Sequence, residues 1–218
     1  MKLAILDYGS GNLRSVEQSV RRAAGALANP VAVSVVSDAE AVRQADYIIL
    51  PGVGHFADCR AGLDRAPGLI EALQEAVRQR GVPFLGICVG LQLMADIGYE
   101  GQPTPGFGWL PGEVRALVGG TDSQGQPLKI PHMGWNRLQL QQPDHPVCQA
   151  MQKHDMVYFV HSWHLQLANS SDLLASTDYG QPVTAMAGRD TMLGTQFHPE
   201  KSQQAGQALL TGFLNWRP

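Results

Sequence analysis

The sequence predicts an α/β fold: a mainly parallel, doubly wound sheet with flanking helices and a smaller antiparallel β portion in the second half. Two observations support this prediction. Up to about residue 100, short apolar runs alternate with stretches of helical periodicity, which is the pattern of βαβ units. Beyond residue 101, Pro, Gly and Gln become frequent and short β-like runs replace the helices.

The first half contains four predicted strands and three predicted helices. The strands are apolar or β-branched runs at 2–6, 31–36, 46–50 and 83–87. The helices lie at 13–27 and 69–80, and a third begins at Leu91 and runs to Ala95. Ligands bind at the carboxyl ends of parallel strands, which is where Gly11, Gly52 and Cys88 fall.

The second half is predicted as an antiparallel, partly looped portion laid onto the first. Its β-like runs are 112–118, 135–140, 156–160, 173–177 and 183–187, and 119–126 is a hydrophilic hairpin tip. A helix at 203–216 closes the chain. Because no long linker interrupts this pattern, we expect a single domain over residues 1–218.

Composition limits the function classes. The chain has 218 residues, 44% apolar and 16% charged, which is typical of a globular protein. Its net charge of −3 does not suggest a nucleic-acid or anionic-membrane partner, and no apolar run reaches the ~20 residues that span a bilayer. The three cysteines, Cys59, Cys88 and Cys148, lack metal-site spacing. We therefore expect a cytoplasmic protein without a metal site.

The most informative segment is Gly86-Ile87-Cys88-Val89-Gly90. It joins a predicted strand to a predicted helix and places one reactive residue between two glycines, which is typical of a nucleophile elbow. Free N–H groups at a helix start favour the thiolate, which is the reactive form of cysteine. The alternative is a buried structural cysteine between two packing glycines.

A second segment supplies a candidate base. His198-Pro199-Glu200 follows an apolar stretch, and Pro199 restricts the backbone on both sides. A cysteine nucleophile needs a base, and the base needs an orienting group. His198 and Glu200 can take these roles in a Cys-His-Glu triad with Cys88. Without Cys88, this segment reads as an ordinary loop.

Together these motifs resemble the class I glutamine amidotransferases of the triad type. Further stretches narrow the resemblance to the glutaminase subunits of imidazole glycerol phosphate synthase, from histidine biosynthesis. They are Asp7-Tyr8-Gly9-Ser10-Gly11-Asn12, Leu50-Pro51-Gly52-Val53-Gly54, Pro131-His132-Met133-Gly134-Trp135-Asn136 and Tyr158-Phe159-Val160-His161-Ser162. The resemblance runs from Met1 to the C-terminus.

The resemblance implies roles for residues around the triad. Backbone N–H groups of Val89 and of the loop at Gly52 and Val53 would form an oxyanion hole for the amide of L-glutamine. The pocket for the amino-acid end of glutamine would be lined by Gln92, Glu100, His161 and Ser162. Glu100 would pair with the α-ammonium, and Gln92 would contact the α-carboxylate or the α-amino group.

The same resemblance implies a partner and a destination for ammonia. The partner would be a cyclase subunit with a (β/α)₈ barrel, forming a heterodimer with this chain. The residues expected at that interface are Asn12, Trp135, Asn136, Tyr158 and Lys201. Large aromatic residues suit interface anchors, although Trp135 could instead pack in the core.

No cofactor is expected. Gly9-Ser10-Gly11 follows the first strand, but a dinucleotide fingerprint needs a third glycine where Arg14 stands. Three alternatives remain open. One is a related glutaminase subunit serving another acceptor, in pyridoxal phosphate synthesis or anthranilate formation, which the Pro131–Asn136 stretch disfavours. A second is an idle partner that only regulates a cyclase, which an intact triad disfavours. A third is a cysteine-peptidase-like hydrolase.

Overall fold

The computed structural model describes residues 1–121 and 124–218. The described strands are β1 (Lys2–Leu6), β2 (Ala32–Val36), β3 (Tyr47–Gly52), β4 (Phe84–Cys88), β5 (Ile97–Gly98), β6 (Thr104–Pro105), β7 (Gly112–Ala116), β8 (His132–Arg137), β9 (Gln139–Leu140), β10 (Met156–His161), β11 (Trp163–Leu167), β12 (Leu173–Asp178), β13 (Pro182–Arg189) and β14 (Met192–Thr195). The described helices are α1 (Leu13–Gly25), α2 (Ala39–Arg43), α3 (Phe56–Asp64), α4 (Leu69–Gln74), α5 (Val89–Gln92), α6 (Pro146–Met151) and α7 (Gln203–Asn215). Within these ranges, no helix is long and apolar enough to cross a membrane.

The main sheet has eight strands in the order β2-β1-β3-β4-β14-β13-β12-β9. Its first five members are parallel to one another, and the last three continue the sheet with antiparallel pairing. Strands β3 and β4 are buried along their whole length, as expected for central parallel strands covered on both faces. The predicted fold class is therefore confirmed.

The second half contributes strands to the main sheet itself, whereas the sequence predicted a separate portion laid onto the first half. Strand β14 pairs in parallel with β4, and Thr195 is the register partner of Ile87. All four residues of β14 are buried, as expected for a parallel strand at the centre of a sheet that is covered on both faces. As a result, the residues that follow β14 emerge beside Cys88.

One predicted strand is wrong in its extent. The run at 135–140 is two strands in different sheets: β8 pairs with β10 in a two-stranded sheet, whereas β9 pairs with β12 at the edge of the main sheet. The chain passes between the two sheets at Leu138, which is buried and donates its N–H to the carbonyl of Asp155. Strands β11, β7, β5 and β6 form a third sheet.

Several helices also differ from the sequence prediction. The predicted helix at 69–80 is α4 followed by a π-helical turn over Glu75–Gln79, and the predicted helix at 91–95 is the shorter α5. Helix α3 was not predicted because its buried stripe includes Cys59 and Gly62 and is weakly apolar. The hairpin tip at 119–126 lies partly outside the described residues; Thr121 pairs with Pro127 at its base.

Candidate active site

Cys88 occupies a strained turn between β4 and α5. Its backbone dihedrals are φ 55° and ψ −107°, a conformation that non-glycine residues rarely adopt. The turn is tight because its flanks are packed against backbone. A Cβ atom at Gly90 would lie 2.0 Å from the carbonyl oxygen of Leu50, and one at Gly86 would lie 2.5 Å from the carbonyl oxygen of Gly90. Only glycine fits at both positions, so the sequence forces the geometry of a nucleophile elbow.

His198 follows β14 and is oriented by Glu200. The Nδ1 atom of His198 lies 2.8 Å from Oε1 of Glu200, and both side chains are about 2% exposed. Burial lowers the pKa of His198, but the Cys88 sulfur and the Glu200 carboxylate raise it more, to about 10. Among the described residues, Nε2 of His198 has no hydrogen-bond partner. The arrangement stabilises an imidazolium. Its Nδ1 is held by Glu200, and its Nε2 remains for proton exchange at the Cys88 sulfur.

Ten of the predicted site residues line one cavity of about 500 Å³. They are Asn12, Val53, Cys88, Val89, Gln92, Glu100, His161, Ser162, His198 and Lys201. Glu200 stands behind His198, and Gly52 lies beneath the cavity wall: a Cβ on Gly52 would be 2.8 Å from Oη of Tyr8 and 2.9 Å from Cβ of Val89. Trp135 and Asn136 line a neighbouring cavity of about 800 Å³ instead.

The loop that should supply an oxyanion N–H is held by Ser10. The N–H of Val53 donates to Oγ of Ser10 at 3.4 Å, and the Ser10 hydroxyl donates to the carbonyl of Val53 at 2.5 Å. The thiol of Cys59 donates to the same carbonyl at 3.7 Å. The N–H of Val53 is therefore engaged within the protein. Val89, in contrast, is the first residue of α5, so its N–H has no acceptor within the helix.

Two residues predicted to contact glutamine already use part of their hydrogen-bonding capacity within the protein. Glu100 accepts a hydrogen bond from the N–H of Phe56, at the start of α3, and also lines the cavity. Gln92 donates both amide hydrogens, to the carbonyl of Trp163 at 2.9 Å and to Oε1 of Gln196 at 3.1 Å. Only the Gln92 oxygen remains for a ligand, so Gln92 can accept from an ammonium but cannot donate to a carboxylate.

Two buried histidines form a chain that sequence reasoning missed. His132 Nδ1 lies 3.0 Å from His161 Nε2, and His161 Nδ1 lies 3.0 Å from the carbonyl of Trp163. The amide of Asn136 lies 3.3 Å from the other nitrogen of His132. Burial lowers the pKa of His132 to about 4 and that of His161 to about 3. The chain thus requires neutral rings, and no spacing in the sequence signals it.

The aromatic residues expected at an interface lie together at the surface. The rings of Trp135 and Tyr158 meet edge to face with centroids 6.0 Å apart, and the Lys201 ammonium lies 5.8 Å from the Tyr158 ring. Trp135 is 45% exposed, which excludes core packing. Asn136 uses its side chain inside the protein, for His132 and for the carbonyl of Asp178. Their contact with a partner stays a prediction.

The fold and the cavity define a class of enzyme. The chain matches the family model of class I glutamine amidotransferases over residues 4–215, so it belongs to that family. Solved structures agree on the fold. A glutamine amidotransferase crystal structure superposes with a TM-score of 0.69 at 17% identity, covering 97% of this chain and 96% of that one. The glutaminase domain of Trypanosoma brucei CTPS, with bound acivicin, gives 0.66 at 16% identity, covering 100% and 95%.

Curated relatives narrow the class. The chain is 50% identical to imidazole glycerol phosphate synthase subunit HisH of Brucella abortus and of Bradyrhizobium diazoefficiens, over the full length of each chain. The same subunit of Rhodospirillum rubrum is 49% identical, again over both full lengths. The chain is a member of this HisH family of synthase subunits. The resemblance inferred from the sequence motifs is thereby confirmed.

Proposed function

We propose that this chain is the glutaminase subunit of imidazole glycerol phosphate synthase. It hydrolyses L-glutamine to glutamate and ammonia, and it passes the ammonia to a cyclase subunit with a (β/α)₈ barrel. That partner makes imidazole glycerol phosphate and aminoimidazole carboxamide ribotide in histidine biosynthesis. The observation that carries the proposal is the meeting of Cys88 at a strained elbow with a His198–Glu200 pair in one cavity.

The first half of the reaction is thioester formation. The Cys88 thiolate attacks the γ-carboxamide carbon, and the charge that develops on the amide oxygen is met by backbone N–H groups, among them that of Val89. The His198 imidazolium gives its proton to the departing nitrogen, the C–N bond breaks, and ammonia leaves. The raised pKa of His198 supports this role as proton donor.

The second half is hydrolysis of the γ-glutamyl thioester. Neutral His198 removes a proton from water, and the resulting hydroxide attacks the thioester carbon. The C–S bond then breaks, which releases glutamate and restores the thiolate beside the imidazolium. Glu200 holds the Nδ1–H of His198 throughout, so that Nε2 always faces the sulfur and the attacking water.

Selection of an amino acid over a simple amide is assigned to the far end of the cavity. The Glu100 carboxylate and the free oxygen of Gln92 together form an acceptor pair for the α-ammonium. His161 and Ser162 complete the pocket wall; the His161 ring is already committed to His132 and to the carbonyl of Trp163. We assign the partner interface to the exposed cluster of Trp135, Tyr158 and Lys201.

We also propose that residues 1–218 act as one domain in the cytoplasm. A single cluster of buried apolar side chains, with members from all three sheets, supports one domain. Three free, buried cysteines support the cytoplasmic location, because a reducing compartment keeps thiols unpaired.

A glutamine-analogue diazoketone tests the assignment of the nucleophile. We expect it to modify Cys88 and to spare Cys59 and Cys148, as read by mass spectrometry of the labelled protein. Labelling at Cys59 or Cys148 with Cys88 unmodified would contradict the proposal. In the complex with the barrel subunit, Cys88→Ala should abolish glutamine-dependent synthesis and keep ammonia-dependent synthesis, because the cyclase site does not need this cavity.

A further inference from the structure

Gln196 lies against the reacting sulfur and is not a member of the triad. Its Nε2 lies 3.6 Å from Sγ of Cys88 and donates to it, and Gln196 is completely buried. The residue follows β14 and precedes His198 by two positions. The Gln196 amide and the His198 ring both interact with this sulfur, so two groups of one short segment converge on it.

The orientation of the Gln196 amide is fixed by a neighbour. Its Oε1 accepts from Nε2 of Gln92 at 3.1 Å, and Gln92 is anchored in turn by the carbonyl of Trp163 at 2.9 Å. With its oxygen held by this donor, Gln196 must present its NH₂ group to the sulfur. The backbone of Gln196 is also fixed, since its N–H donates to the carbonyl of Ala185 at 2.9 Å.

We propose that Gln196 is a catalytic residue that donates a hydrogen bond to the Cys88 thiolate, and that Gln92 orients it for this purpose. A sulfur accepts a hydrogen bond far better as a thiolate, which is negatively charged, than as a thioester, in which the sulfur is neutral. The donor therefore stabilises the free thiolate before attack and the thiolate that leaves when the thioester is hydrolysed. This inference rests on the proposed glutaminase reaction.

A neutral donor at this place complements His198. The His198 ring changes its charge during the reaction: it loses its proton to the departing nitrogen and regains one from water when the thioester is hydrolysed. When the thioester breaks down, the Gln196 amide is still a donor, so the departing sulfur meets a preorganised partner at the moment its charge returns. The complete burial of Gln196 strengthens this contact, because water does not compete for the sulfur.

Two substitutions separate the donor from the packing. Gln196→Met keeps the length of the side chain and cannot donate. Gln196→Glu keeps an acceptor for Gln92 but replaces the donor with a carboxyl group. Gln142→Met is the matched control, because Gln142, like Gln196, makes two side-chain hydrogen bonds; both are donated, to the carbonyls of Ser171 and Leu173, on a part of the sheet remote from the cavity.

The decisive readout is the pH dependence of Cys88 alkylation by iodoacetamide in the purified chain. We expect both Gln196 variants to move the midpoint up by about one pH unit and to slow alkylation at neutral pH about tenfold, as the loss of one hydrogen bond to a charged group predicts. In the complex, kcat for glutamate release should fall about tenfold while KM for glutamine changes less than about twofold. Gln142→Met should match the wild type in every readout.

An unchanged midpoint in both Gln196 variants would overturn the inference, as would an equal shift in Gln142→Met. Failure of the proposed function has a different signature: the wild-type chain would then release no glutamate in the complex, or a cysteine other than Cys88 would be alkylated. Co-elution of each variant with the barrel subunit in size-exclusion chromatography verifies that the chain still folds and docks.

Discussion

The two walls of the cavity differ in burial and in whether their proposed catalytic groups are free to act. The nucleophile wall consists of Cys88, Gln92 and His198, together with Gln196, which contacts the Cys88 sulfur from within the protein; all four are buried and joined by hydrogen bonds or charge interactions. The loop wall runs from Gly52 to Gly54; Val53 in its middle is 41% exposed and has its N–H bonded to Ser10. The proposed catalytic groups are thus preassembled on one side, while the N–H that we propose as an oxyanion donor is engaged on the other.

This difference indicates where a partner can act. Rearranging the nucleophile wall would break buried hydrogen bonds and expose a strained turn at Cys88, which is costly. The N–H of Val53 is held by a hydrogen bond of 3.4 Å that one to the substrate can replace, and the preceding residue, Gly52, is a glycine, whose backbone permits both orientations of this peptide. A partner that shifts the loop population can therefore activate the enzyme without touching the triad.

The largest expected effect comes from removing the base of the nucleophile wall. His198→Ala should lower glutamate release in the complex by at least about 10⁴-fold, because triad members act as a unit. The measurement is steady-state glutamate release, with co-elution of the variant and the barrel subunit in size-exclusion chromatography as the control for folding. A variant with wild-type-like activity would show that another group handles the protons.

Glu200→Gln should do less damage. Glu200 orients His198 and stabilises its charge but transfers no proton, so the variant should keep roughly tenfold to a hundredfold more activity than His198→Ala. Both variants are compared in the same assay at saturating glutamine. Equal, near-zero rates for the two would mean that Glu200 does more than orient.

Lowering the pH should destabilise the fold through the buried pair of His132 and His161. His132 and His161 have folded-state pKa values of about 4 and 3, below the ordinary value of 6.5. Their contribution to stability is therefore fully present above pH 6.5 and is lost as pH falls toward these values. Between pH 6.5 and 5, the free energy of unfolding should fall by about 2 kcal/mol for each histidine.

Urea unfolding at pH 7, 6 and 5 measures this slope, and His132→Gln should reduce it by the share of one histidine. A free energy of unfolding that stays constant from pH 6.5 to 5 would show that protonated rings are tolerated in the folded chain.

The smallest expected effect concerns the loop wall. Ser10→Ala removes the hydroxyl that engages both the N–H and the carbonyl of Val53. Losing a hydrogen bond of about 1 kcal/mol should raise glutamate release by the isolated chain about threefold to tenfold and leave the complex nearly unchanged. A lower rate in the isolated variant would indicate that Ser10 supports the active loop instead of restraining it.

The sequence was sufficient for the elbow and the parallel strands, because each depends on local signals: glycines around Cys88 and apolar runs between helical stretches. It could not predict that β14 enters the sheet beside β4, since strand pairing over such a distance leaves no local pattern. For the same reason it missed Gln196, whose donor reaches Cys88 only through that pairing. The engagement of Val53 by Ser10 also depends on tertiary contact alone.

We expect the isolated chain to hold a preassembled nucleophile and an incomplete oxyanion hole. The most direct test compares glutamate release by the purified chain alone and by its reconstituted complex with the barrel cyclase subunit and a substrate analogue, at saturating glutamine. Because one oxyanion donor is typically worth 10²–10³ in rate, the complex should be at least about a hundredfold faster. Equal rates would contradict this expectation: the hole would then be preformed, and the partner would supply only a destination for ammonia.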